Sequence, residues 1–218
     1  MLLTFVLVRR RRNQPGIQLL VVHSSLSILF TLLGSIHVAL RRALYKNLIN
    51  SGNILLYDLL ALSSALLIGA YFYRHLEAVF KKRLVVVLIA GYVVYAVVRE
   101  ATLSGQRLFD SIGYAALSAS VTIYAFLFFH QLLQRVSEAS ILRQFNFWLS
   151  AAYLLYFAGG FIIFISYYYF TQKLLANPSK EGTTLLTWLW GLHNVLLFIS
   201  ALLLLSGSLW IVSRKRSA

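Results

Sequence analysis

His23, His37, Asp58, Glu100, Asp110, His130 and the adjacent pair His193 and Asn194 have the side-chain types for chemistry, and all lie in or beside long apolar runs. Carboxylates and imidazoles can carry protons, hold a metal ion or bind a charged solute. Each is costly to keep in hydrocarbon, so one found there is a candidate for function.

Two arrangements of these residues suggest chemistry. His37, Asp58, Glu100, Asp110, His193 and Asn194 are expected in the outer halves of their helices, where they could line one ligand pocket with Tyr57, Trp188 and Trp190 around it. Asp58 is about 6 Å into its helix and His193 about 12 Å, near mid-bilayer. The plainer alternative treats the three carboxylates as interfacial groups bathed in water, and His193 with Asn194 as an interhelical hydrogen bond.

The second arrangement is a stripe of His23, Ser27, Thr31, Gly34 and His37. These fall within an arc of about 120° on one helix face. The two imidazoles lie about 21 Å apart along the axis. That spacing resembles the way cytochrome-b-like proteins hold two haems, with His130 and His193 as the partners of His23 and His37. Ordinary packing through small and hydroxyl residues accounts for the same stripe.

No cofactor and no metal site is expected otherwise. There is no cysteine for a thiolate ligand, disulfide or nucleophile. HExxH, P-loop and GxSxG patterns are absent, as is any pair of buried carboxylates. All six lysines are read as lying in loops or tails, which argues against a retinal Schiff base.

These residues must be positioned by helices. Of the 218 residues, 60% are hydrophobic and 12% charged. A soluble domain carries about a quarter charged residues and less apolar content. Six runs approach the roughly 20 residues that cross a bilayer as a helix. They are about 17–40, 54–73, 84–103, 108–129, 145–170 and 185–212, the third reaching 103 only if Arg99 snorkels. Backbone groups in lipid must be satisfied within their own segment, which selects helices, and the runs lack the alternation of a β-barrel. The chain is therefore expected to be all-α: one polytopic transmembrane bundle over 1–218. Met1 to Val8, followed by Arg9 to Arg12, reverses the charge order of a signal peptide and reads as the end of a truncated N-terminal helix.

The net charge of +14 comes from short basic clusters between apolar runs, not from a basic face with interleaved aromatics. Lipid headgroups, not nucleic acid, are the expected partner. Thirteen cations fall on the side holding both termini and seven on the other, which predicts cytoplasmic termini in the inner membrane. Trp148, Trp188, Trp190 and Trp210 are expected near helix ends as an interfacial belt.

Four stretches carry a resemblance: Asn50-Ser-Gly-Asn-Ile-Leu-Leu-Tyr57, Phe109-Asp-Ser-Ile-Gly113, Phe145-Asn-Phe-Trp148 with Tyr156-Phe-Ala-Gly-Gly160, and Leu189-Trp-Gly-Leu-His-Asn194. In that order they resemble a family of small polytopic membrane proteins, about seven helices each, from Bacteroidetes-type bacteria. The resemblance spans about 17–212. It implies association with two-component signalling and supplies no catalytic residues.

The expected function is a non-enzymatic sensory or regulatory membrane module acting through a signalling partner. A small-solute transporter and a haem protein are the alternatives. After ultracentrifugation without detergent, the chain should be found in the membrane pellet; recovery in the supernatant would overturn the membrane reading.

Overall fold

The computed structural model describes residues 22, 23, 25, 26, 29, 32, 33, 54–102, 109–134, 141 and 144–214, with side chains to Gly207. Among them the long elements are five helices: α1 Ile54–His75, α2 Val79–Thr102, α3 Ser111–Gln134, α4 Phe145–Ala176 and α5 Lys180–Arg214. They hold 22, 24, 24, 32 and 35 residues. At about 1.5 Å per residue even the shortest exceeds the roughly 30 Å hydrocarbon thickness. All five are long and apolar enough to cross a membrane. The described positions within 22–33 are helical too. The remainder of the expected 17–40 span, and the Met1–Val8 remnant, lie outside the described residues.

The helices run past the apolar stretches that announce them. α2 begins at Val79, not 84, and α4 continues to Ala176. Lys81, Lys82, Lys173 and Lys180 are thus helical, which corrects their placement in loops. Long lysine stems let a helix continue beyond the hydrocarbon while the ammonium reaches water. Lys82, for example, lies over the Tyr73 ring with Nζ 5.6 Å from its centroid.

Short connections make neighbours antiparallel. Leu76, Glu77 and Ala78 alone join α1 to α2. Gln131 of α3 closes this turn from the side: its Nε2 donates to the His75 carbonyl at 3.0 Å, and its Oε1 accepts the Glu77 N–H at 2.9 Å. One amide therefore satisfies two backbone groups that a helix end leaves open. Asn177, Pro178 and Ser179 join α4 to α5, where the Ser179 hydroxyl caps the new helix by accepting the Gly182 N–H at 3.1 Å.

α1 packs on α2 and α3, α2 on α3, α3 on α4, and α4 on α5. Phe72, fully buried, sets the core level: its ring meets Tyr124 and Phe128 of α3 and Tyr153 of α4 at 5.9, 6.2 and 6.3 Å. Glycine brings α3 and α4 close, since a Cβ on Gly160 would stand 3.4 Å from the Ser118 hydroxyl. The face of Ser111, Ala115 and Ser118 is buried. A Cβ on Gly91, by contrast, would meet nothing within 4 Å. The outward faces are greasy, with Phe80 74% and Ile162 66% exposed.

Replacing Gln131 by Leu should leave both ends of the α1–α2 turn without a partner. The expected loss is about 1–3 kcal/mol of stability, read by denaturant unfolding in detergent micelles; an unchanged unfolding curve would show that the clamp contributes nothing.

Candidate functional site

The N-terminal ends of α1, α3 and α5 and the C-terminal ends of α2 and α4 meet at one end of the bundle. Asp58 lies in the second turn of α1, Arg99 in the last turn of α2, and Asp110 immediately before α3. Arg99 Nη1 is 2.9 Å from Asp58 Oδ2, and its Nε is 3.4 Å from Asp110 Oδ2. The planar guanidinium, with donors in several directions, suits two carboxylates at once. The three side chains are only 11–18% exposed, so the pairing is shielded from most solvent screening.

Asp110 has further duties. Its Oδ1 accepts the Gly113 N–H at 2.9 Å, capping α3, and the Tyr95 hydroxyl at 2.7 Å. Tyr95 stands one turn before Arg99 on the same side of α2. Any Cβ at position 113 would collide with the Asp110 carboxyl group, so glycine there lets the cap sit close.

Next to this clasp is a cluster of rings. Phe109 stacks on Tyr114 at 5.0 Å and meets Trp190 edge-on at 5.8 Å. The Tyr114 hydroxyl donates to the Tyr57 carbonyl at 2.9 Å. Trp190 in turn stacks on His193, with centroids 5.2 Å apart. Tyr156 and Phe164 of α4 enclose the imidazole, and the Tyr156 hydroxyl is 3.3 Å from His193 Nε2. His193 is 8% exposed, and its Nδ1 is buried with no hydrogen-bond partner.

The expected pocket residues are thus brought together in part. Asp58 and Asp110 meet through Arg99; His193 joins them through Phe109 and Trp190, not by direct contact. Glu100 follows Arg99 on α2 and is exposed at the edge. Asn194 is exposed, whereas its neighbour His193 is buried against α4. Trp188 is 73% exposed and takes no part, while Trp190 sits in the ring cluster. His37 lies outside the described residues.

Arg99, Tyr95, Phe109, Tyr114 and Tyr156 escaped the sequence reading. In the sequence Arg99 reads as a snorkelling flank of its helix. The four-residue spacing of Tyr95 and Arg99 signals a shared helix face, and Asp110 three residues before Gly113 has the form of an N-cap.

Two histidines of the haem alternative, His23 and His130, have protein partners. His23 Nε2 is 3.0 Å from the Ser64 hydroxyl and His130 Nδ1 is 3.3 Å from Lys81 Nζ. Among the described residues no group of three or more His, Cys, Asp or Glu is placed to hold a metal ion. Comparison with protein-family models, curated proteins and solved structures finds no match to the chain.

Arg99→Leu would leave Asp58 and Asp110 facing one another without their shared cation. It should destabilise the chain by about 3 kcal/mol, and the added change Asp58→Leu should recover part of that loss. Equal unfolding of single variant, double variant and wild type in micelles would refute the clasp.

Proposed function

We propose that the chain is a non-enzymatic sensory or regulatory module of the cytoplasmic membrane, which takes a small ligand at the end holding Asp58, Arg99, Asp110 and His193 and passes the signal to a partner protein. The observation that carries this reading is continuity. Arg99 ties α1, α2 and α3 together, and Phe109 and Trp190 extend the contact to His193 on α5 and its neighbours on α4. A ligand that displaced either carboxylate from Arg99, or turned Trp190, would disturb all five helices. A ligand shifts a conformational equilibrium only through contacts that differ between states, and a shared cation with two acceptors supplies such a difference.

The unpartnered Nδ1 of His193 adds support, because a buried polar nitrogen without a bond is uncommon and favours a state in which it gains one. The charge bias toward cytoplasmic termini supports an outer-side position for this end. The resemblance to small polytopic proteins associated with two-component signalling supports transmission through a partner.

Binding can be followed through the Trp190 environment. A panel of amines, amino acids and small carboxylates, added to the protein in lipid nanodiscs, should include a compound that shifts tryptophan emission and raises the melting temperature. Both effects should be lost in His193→Ala. Saturable uptake of that compound into proteoliposomes, abolished by the same change, would replace the sensory reading with a transporter; no response across the panel would remove support for the site.

A further inference from the structure

α5 carries a polar group where the bilayer offers it nothing. The helix runs 35 residues from Lys180 to Arg214. Asn194 is about 21 Å along the axis from the first and about 30 Å from the second, close to mid-helix. It is exposed, and no hydrogen bond joins its carboxamide to another described residue. The hydroxyls nearest to it on α5 are satisfied within the fold. Thr183, Thr184 and Thr187 bond back to the carbonyls four residues earlier, and Ser200 donates to the Ala152 carbonyl of α4. A carboxamide has two donor hydrogens and an acceptor oxygen, which hydrocarbon cannot match.

The surroundings of Asn194 suit another helix. Thr184, Thr187, Gly191, Asn194 and Phe198 fall within an arc of about 80°. All five are exposed. His193 and Ser200, which face α4, lie on the other side of the helix. A Cβ at Gly191 would meet nothing within 4 Å, so a second backbone can approach there. Small residues flanking a polar one characterise close helix pairs in membranes.

The geometry points to a second copy of this chain as the occupant: α5 pairs with α5 of another molecule about a two-fold axis, with Asn194 bonded to Asn194. An amide is self-complementary, since each can donate N–H to the other's oxygen, and a two-fold interface brings the same residue to both sides. The first span meets α1 instead, where His23 bonds to Ser64. α5 itself packs chiefly on α4.

The natural absence of cysteine makes the test direct. Full-length Thr187→Cys and Gly191→Cys, oxidised in liposomes at low protein-to-lipid ratio, should form disulfide-linked dimers. Val94→Cys, on the 62% exposed outer face of α2, should not. Energy transfer between labelled copies should show Asn194→Leu weakening self-association about tenfold, within the range for interhelical hydrogen bonds, while Asn194→Gln retains most of it. Leucine at 194 removes no bond within the chain, so loss of folding is not expected; Gly191→Leu, which blocks close approach, serves as a second variant and should also weaken the dimer. A monomeric wild type at every lipid ratio, equal cross-linking at position 94, or undiminished association of Asn194→Leu would each overturn the proposal.

Discussion

Hydrocarbon cannot hydrogen-bond, and that constraint governs the polar placements in this chain. In water an unpaired amide or hydroxyl costs little; in lipid it costs several kcal/mol unless the protein supplies a partner. Helices answer for the backbone. The threonines of α5 bond to their own helix, Gln131 completes a turn in place of water, and Arg99 holds two carboxylates. Among the groups that depart from the rule are His193 Nδ1 and the Asn194 amide. The first adds support to the proposed ligand site, and the second is where the proposed pairing of two copies starts.

The two ends of the bundle are chemically unlike. One holds Asp58, Glu100, Asp110 and Glu181, four of the six acidic residues, and there Asp58 and Asp110 share Arg99. The other holds Arg74, Lys81, Lys82 and Arg83 beside exposed Phe80. A patch of that second kind suits anionic headgroups, and the first suits a small polar solute.

Much of the fold was legible because apolar run length is a direct reading of bilayer thickness. Each of the five described helices contains most of its expected span. The errors lie at the ends, and α2 shows why: Lys81, Lys82 and Arg83 end an apolar run without ending a helix. The site was legible only as an inventory. Depth along each helix grouped Asp58 with Asp110, but the cation between them lies 41 residues from Asp58 in sequence. Neighbouring residues on a helix differ in direction by about 100°, so His193 and Asn194 could not share a pocket wall. Which of the two faced inward depended on the position of α4, and no spacing within α5 reveals that.

The glycine pair of α4 gives the bundle a mechanical character. A side chain at Gly160 would press on Ser118 of α3, and one at Gly159 would collide with Leu196 of α5. Consecutive residues point in different directions, so α4 is thinnest toward both neighbours at one level. Both neighbouring helices can therefore come close to the α4 backbone at the same height, which larger side chains at either position would prevent.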